Sequence, residues 1–410
     1  MGTRVILGVQ TGRGSPNGNP RTGHDNEGTL DIERAGRLAV ADIELSGATK
    51  RFDQLVAVDA VNLAVEAGEV VCLLGPSGCG KTTTLRMIAG LESATQGEIR
   101  LAGRRVNELA ARERNVAMTF QFYALYPSLS VRENLEYPLH AERIGRPEID
   151  RRVGEIARVL QLERVLHRLP GQLAEGEKQR VAVGRSIIRD AVCFLFDEPL
   201  SRLDVQLRET MRGQIKEVLE GLNKATVIVT HDQLEALTMA DRIAVMRAGR
   251  IEQIATPHEI FARPANLFVA GFIGTPQMNL IEATVDWTTS TDARFKASTQ
   301  DIALPLPDAD QRLPRGAEVT IGIRPRAFEL ASEPEARSLT ATVDIIEPMG
   351  AETLLHLVAD GRDLRAVVDR RIKPAVGSRV HVRLRPSQVH IFDAQGARIP
   401  VETARGATAA

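Results

Sequence analysis

No stretch of this 410-residue chain approaches the roughly 20 consecutive apolar residues that a membrane span requires, and no cleavable signal is evident. Any membrane role is therefore expected to be peripheral. An excess of one charge is also missing: 52 Lys and Arg stand against 53 Asp and Glu, so nothing global pulls the chain towards nucleic acid or anionic lipid. Cysteine is scarce. Cys72, Cys79 and Cys193 are scattered through apolar or glycine-rich settings, which suggests reduced thiols in a cytoplasmic protein rather than disulfides or a metal cluster. The length allows about two or three domains with ample chain for a core.

The most informative stretch is GPSGCGKT, Gly75 to Thr82, which fits the phosphate-binding pattern G-x-x-x-x-G-K-[ST]. Before it, VVCLLG reads as a buried strand; after it, TTLRMIAGL, Thr83 to Leu91, reads as a helix. That is the context the motif needs. Glycines 75, 78 and 80 let the backbone bend until its N–H groups converge on an anion, and the helix start adds its positive dipole end. Gly75, Pro76, Ser77, Gly78, Cys79, Gly80, Lys81, Thr82 and Thr83 are thus the candidate residues for binding the phosphates of a nucleoside triphosphate. Within them, Lys81 is expected at the β- and γ-phosphates and the Thr82 hydroxyl at Mg²⁺.

Upstream, residues 1–39 are rich in Gly, Asn, Pro, Thr and Arg and are expected to form a disordered extension. From Ala41 apolar and polar residues alternate, suggesting antiparallel strands that lead into the phosphate loop. Phe52 lies on this approach. It could stack on an adenine ring, or be an ordinary packed aromatic. Downstream, CFLFDEP, Cys193 to Pro199, reads as a buried strand ending in two carboxylates, with Asp197 suited to the Mg²⁺ shell and Glu198 to polarising a water. A further strand, ATVIVTHD, Ala225 to Asp232, brings His231 to a carboxyl edge, where open α/β sheets place ligand chemistry.

Taken with Gln121 in FQFYALYP, the helix KQRVAVGRSII, and SRLD from Ser201 to Asp204, these motifs resemble the ATP-binding subunits of ABC transporters. The resemblance implies an ATPase whose two copies sandwich two ATP molecules and drive membrane subunits. By motif position it implies Gln121 as the lid glutamine sensing Mg²⁺ and water, Glu198 as the catalytic carboxylate and His231 as the switch histidine. It also implies Phe52 at the adenine-stacking position, with Ser201 and Asp204 in the D-loop. The stretch Tyr123 to Leu139 sits where this family couples to its membrane partners, and reads equally well as a packed loop and helix start. Glu148 to Leu166 carries apolar residues at helical spacing and is expected to serve the core.

One motif departs from the family. Where the signature reads L-S-G-G-Q, Leu173, Ala174, Glu175, Gly176 and Glu177 spell LAEGE. The resemblance places this loop against the γ-phosphate held by the opposite subunit. Ala174 cannot donate, and losing a hydrogen bond to a charged group costs roughly 1.5 to 3 kcal/mol. Glu175 adds a charge, and two like charges about 4 Å apart repel by about 4 kcal/mol at an effective dielectric near 20, unless the side chain swings towards water. Both acids would also compete in cis for the positive helix end. The departure bears on hydrolysis more than on ATP binding, and leaves two readings: a hydrolysing importer subunit, or an ATP-binding but poorly hydrolysing regulatory or structural half of a heterodimeric pair.

Beyond a boundary at about residue 275, short β-like runs recur between Gly, Pro and Asp: ATVDW, EVTIGIRP, LTATVDIIEPMG, TLLHLVAD, RAVVD, SRVHVRLRP and VHIFD. They read as a small β-barrel or sandwich. FVAGFIGTPQMN, IGIRP, EPMGAET and RPSQVHIFD resemble the tail of importer ATPases of the maltose and glycerol-phosphate type, whose appended barrel contacts its partner copy. The expected architecture is an α/β P-loop NTPase domain of ABC type with a helical subdomain at 40–275, then an all-β OB-like barrel at 276–400 and a tail at 401–410. The resemblance implies ATP and Mg²⁺ as cofactors, transmembrane permease subunits and through them a solute-binding protein as partners, a homodimer or heterodimer, no nucleic acid, and a peripheral place on the cytoplasmic face of the membrane.

Overall fold

The computed structural model describes residues 41–400 apart from 121–122, 143, 202, 204, 299, 307–311, 332, 334–337 and 386–387, so the expected extension at 1–39 and tail at 401–410 lie outside the described residues. The chain divides into two compact units: Met1–Cys72 with Gly80–Thr230, and Leu73–Cys79 with His231–Ala410.

The first unit opens with the antiparallel strands β1 (Ile43–Phe52) and β2 (Leu55–Val65), in register from Ile43 opposite Val65 to Phe52 opposite Leu55. Strand β3 (Val70–Leu74) runs into the phosphate loop, and helix α1 (Lys81–Ala89) leaves it. Strands β4 (Gln96–Leu101) and β5 (Arg104–Arg105) complete a sheet ordered β2-β1-β4-β5. Next come β6 (Ala117–Thr119), the helices α2 (Val131–Glu136), α3 (Arg146–Val159) and α4 (Glu175–Ile187), then β7 (Cys193–Asp197), α5 (Val205–Leu222) and β8 (Ala225–Thr230). In this unit the order is β3-β8-β7-β6, with β6, β7 and β8 parallel. Every residue of VVCLL, CFLFD and ATVIVT is buried, as parallel strands covered on both faces require.

Local chemistry explains the helix ends. Gly90 closes α1 in the left-handed conformation, and Arg114 donates from one Nη to the carbonyls of Met87 and Ile88 at 2.7 and 3.0 Å, satisfying acceptors that the helix leaves open. Ser130 caps α2 by accepting from the Glu133 N–H at 3.3 Å, while Glu133 reaches back to the Ser130 N–H at 2.7 Å. Helix α3 buries Ile149, Val153 and Ala157, one four-residue row facing the core, so the amphipathic expectation for this stretch is met. A Cβ on Gly184 of α4 would stand 3.0 Å from Ile156, Leu135 and Leu160, so this glycine is what lets α4 pack so closely.

The second unit begins with the end of β3 and adds helix α6 (Gln233–Met239), strands β9 (Arg242–Arg247) and β10 (Arg250–Ala255), and helices α7 (Pro257–Ala262) and α8 (Leu267–Phe272). Here the order is β10-β9-β3. Helices α7 and α8 are separate because Pro264 and the Asn266 cap break the run and start a new turn.

All-β structure follows: β11 (Asn279–Thr288), β12 (Asp292–Ala297), β13 (Gln300–Pro305), β14 (Glu318–Ile323), β15 (Phe328–Ala331), β16 (Ser338–Pro348), β17 (Glu352–Ala359), β18 (Arg362–Asp369), β19 (Arg379–Leu384), β20 (Val389–Asp393) and β21 (Arg398–Ile399). They form two sheets, β13-β12-β11-β14-β20-β21 and β15-β19-β16-β17-β18. Inward residues such as Phe295, Ile321, Leu355 and Val382 share one apolar core. Asn279 ties the sheets together: its Nδ2 donates to the carbonyls of Ile323 and Arg365, and its Oδ1 accepts from the Arg365 N–H at 2.7 Å. The second unit thus carries the all-β domain that the recurring short runs foretold. No helix among the described residues is long and apolar enough to cross a membrane.

Candidate nucleotide site

The phosphate loop has the backbone its glycines predict. Gly78 and Gly80 take φ of 79° and 103°, which L side chains rarely adopt, and Gly80 stands at the start of α1. At Gly75 a Cβ would lie 2.3 Å from the Met246 carbonyl oxygen and 2.7 Å from Cys79 Sγ, so no larger residue fits. Lys81 is buried in the first turn of α1, which starts two residues earlier than sequence reading began the helix. Pro76, Ser77, Cys79 and Thr83 lie in the same loop and turn, and the Cys79 N–H donates to the Pro76 carbonyl at 3.4 Å.

Fold then joins what sequence separates. Thr82 Oγ1 donates to Asp197 Oδ1 at 3.1 Å, bringing the end of the loop to the end of β7. Burial raises the Asp197 carboxyl above its ordinary range, against the Thr82 hydrogen bond that lowers it; the Glu198 charge also raises it, and Arg86 and Lys81 lower it. A hard cation offered oxygen ligands is the partner such a pair suits.

Strand β7 stops at Asp197, and Glu198 turns out of it with φ 50°, uncommon for a side-chain-bearing residue. Its backbone is pinned on both sides: the N–H donates to the Val229 carbonyl at 2.9 Å, and the carbonyl accepts from the Ser201 hydroxyl at 3.2 Å. Gln179 of α4 donates to the neighbouring Pro199 carbonyl. The acid is held where secondary structure has ended and backbone strain is tolerated. Strand β8 ends at Thr230, two residues short of the sequence reading, because Asp232 caps α6 by accepting from the N–H groups of Leu234 and Glu235 at 2.8 and 3.1 Å. His231 is exposed in the link between them. Phe52 ends β1 at 42% exposure, with Lys50 Nζ 4.8 Å from its ring centroid, so the ring face is open yet already attended by a cation. Gln121 and Asp204 lie outside the described residues.

At the altered signature loop both acids fall in the first turn of α4. Leu173 is buried, and Ala174 stands at the cap with no side-chain hydrogen bond. Glu177 Oε2 accepts from the Ala174 N–H at 2.8 Å, so the carboxylate occupies its own helix end. Glu175 leans along the helix to Lys178 Nζ at 2.9 Å. Gly176 is buried under α5: a Cβ there would meet Leu207 Cδ2 at 2.0 Å.

Within α4, sequence reading overlooked Arg185. Its guanidinium donates to the Ala124 carbonyl at 2.6 Å and lies 5.3 Å from the Tyr126 ring centroid, gripping the segment after Gln121. Burial lowers its pKa. Asn134 fixes the same segment, accepting from the Tyr126 N–H and donating to three carbonyls. The Tyr137 ring, half exposed, lies 4.3 Å from that of Tyr126. The three cysteines are buried and none is in a disulfide, and burial pushes the Cys193 thiol up to about 12.

Against known proteins, residues 58–201 match the ABC transporter family model, residues 274–328 the MalK OB fold domain and residues 321–392 the TOBE domain. The chain is 43% identical over 360 residues to the sn-glycerol-3-phosphate import ATP-binding protein UgpC 1 of Rhizobium johnstonii, covering 88% of this chain and 96% of that protein. It is 41% identical over 355 residues to the sulfoquinovosyl glycerol transport ATP-binding protein SmoE of Agrobacterium fabrum, covering 87% and 98%. A third relative, the uncharacterized ABC transporter ATP-binding protein y4oS of Sinorhizobium fredii, is 43% identical over 91% of this chain and 98% of its own.

Proposed function

The chain belongs to the ABC transporter family, as an ATP-binding subunit of the sugar-importer type, and from that premise we propose that it hydrolyses Mg-ATP to energise import of a carbohydrate or related polar solute. The observation that carries this reading is the Thr82–Asp197 hydrogen bond, which unites the phosphate loop with the strand that delivers Glu198. Support for the solute class comes from the relatives, whose names specify import of glycerol phosphate and transport of sulfoquinovosyl glycerol.

In this mechanism the loop amides and Lys81 bind the phosphates, and Phe52 offers a face to the adenine. Thr82, Asp197 and Gln121 would hold Mg²⁺, which supplies charge neutralisation at the phosphate oxygens when bound. Glu198 orients a water in line with the γ-phosphate and draws off its proton as oxygen bonds phosphorus and the bond to the β-phosphate oxygen breaks, leaving ADP and phosphate. His231 is assigned to the γ-phosphate, and Leu173 to Glu177 of one subunit to the nucleotide of the other, with Ser201 and Asp204 in the D-loop. The partners are membrane permease subunits and, through them, a solute-binding protein, with this chain peripheral on the cytoplasmic face. Domain limits of 40–275 and 276–400 complete the proposal.

The Glu177–Ala174 contact favours a second reading, in which this subunit binds ATP but hydrolyses poorly and pairs with a second ATP-binding subunit that carries an ordinary signature. The test is uptake of labelled solute by proteoliposomes holding the chain with its permease subunits. Uptake that needs Mg-ATP and is lost in Lys81→Ala supports the proposal; uptake unchanged by Lys81→Ala contradicts it.

A further inference from the structure

On one face of the six-stranded sheet of the second unit, basic side chains gather without an acidic counterpart. Antiparallel register sets Gly322 opposite His390 and Phe392 opposite Arg398. Directly paired residues share a face, as do residues two apart on one strand. Arg324, two residues beyond Gly322 in extended backbone, therefore joins His390 and Arg398. Arg324 and His390 are only 5% and 8% exposed, and Arg398 is half-buried.

Their hydrogen bonding is incomplete in a consistent way. Arg324 spends its Nη groups on carbonyls at the ends of α7 and α8, donating to Phe261 at 2.9 Å and to Ile273, with the Phe261 ring centroid 4.1 Å from its Cζ. Its Nε has no partner, and neither has Arg398 Nε nor His390 Nδ1, all three atoms being buried. No ion pair joins Arg324, His390 or Arg398 to a described carboxylate. The nearby acids have other partners: Glu252 accepts from Asn266 at 2.6 Å, and Glu259 caps α7. The charges that reach this group are those of its own members and of the exposed Arg263.

Burial, and then Arg398 and Arg324, push the His390 imidazole down to about 4; burial and Arg263 lower Arg398; burial brings Arg324 down to about 10. Orphaned buried donors call for a water or an ion, and two guanidinium charges without a carboxylate select an anion over water. Guanidinium N–H groups match the oxygens of phosphate or sulfate better than they match a halide. We propose that Arg324, His390 and Arg398 form a binding site for a small oxyanion of the phosphate and sulfate class, with the two Nε–H groups as donors and Arg263 adding charge. Such a ligand would lock the α7–α8 connection to the all-β structure through Arg324.

The experiment is calorimetric titration of the full chain with inorganic phosphate at fixed ionic strength, with sulfate and chloride as comparators. Because the phosphate loop also attracts phosphate, Lys81→Ala and Arg398→Gln are titrated beside the wild type. Binding that persists in Lys81→Ala and weakens about tenfold or more in Arg398→Gln supports the site. Binding lost in Lys81→Ala and unchanged in Arg398→Gln overturns it, as does chloride matching phosphate. If Arg398→Gln fails to fold, the wild-type His390 resonance decides: its pKa rises on adding phosphate if the anion sits beside it, and an unmoved pKa at saturation refutes the proposal.

Discussion

Thr82 and Asp197, 115 residues apart in sequence, meet through a 3.1 Å hydrogen bond from hydroxyl to carboxylate. The acid is buried, and its raised pKa shows that the protein alone does not fully compensate its charge. A divalent cation would. Asp197→Asn keeps an oxygen for Thr82 and removes the charge, so Mg²⁺ is expected to bind the nucleotide complex about 10- to 100-fold more weakly while metal-free nucleotide binding holds. Fluorescent-nucleotide titrations with and without Mg²⁺ check this, and equal Mg²⁺ dependence would contradict it.

The altered signature loop gives a graded series. Glu177→Gln alone retains an oxygen for the Ala174 N–H, so thermal stability is expected to stay within about 0.5 kcal/mol. Ala174→Ser adds the missing cap oxygen and should stabilise the protein by about 1 kcal/mol. The triple variant Ala174→Ser, Glu175→Gly, Glu177→Gln is expected to raise ATP turnover. An unchanged rate would move the explanation from this loop to a missing partner subunit.

Gly176 tests the packing beneath the same loop. Its hypothetical Cβ falls 2.0 Å from Leu207 Cδ2, so Gly176→Ala forces α4 and α5 apart or turns Leu207 off its rotamer. Denaturant unfolding is expected to show a loss of about 1 to 3 kcal/mol, with no loss contradicting the contact.

His390 sets a pH dependence. Its folded-state pKa of about 4 lies below the ordinary 6.5, so the unfolded chain binds the proton more readily. The stability linked to this group is present above pH 6.5 and is lost as pH falls towards 4, on the order of 3 kcal/mol at most. His390→Asn should flatten that limb of the stability profile in low-phosphate buffer. A profile with the same slope in the variant would contradict the assignment.

Legibility in the sequence followed locality. The phosphate loop and the buried strands around it were readable because motif, glycines and apolar runs are contiguous. Strands β12 and β13 were not singled out: DARFKA and QDIALP carry their inward residues among polar and charged ones, and only pairing of β12 with β11 and of β13 with β12 completes the pattern. Glu177 as a cap was half visible, since the E of a capping box is present, but Ala174 removes its partner residue. The Thr82–Asp197 contact and the carbonyl grip of Arg324 depend on elements far apart in the chain, and no spacing rule announces them. Glu198 was legible as an acid after a strand, whereas its left-handed backbone and two-sided pinning emerged only with the fold.

The most direct measurement is phosphate release by the purified chain with Mg-ATP, beside Glu198→Gln prepared in parallel. Turnover in the wild type that disappears in the variant is the expected result, and would establish that the site built on Thr82, Asp197 and Glu198 is catalytic with LAEGE in place. Nucleotide binding with turnover no greater than that of the variant would contradict it, leaving this chain as the ATP-binding, poorly hydrolysing member of a pair.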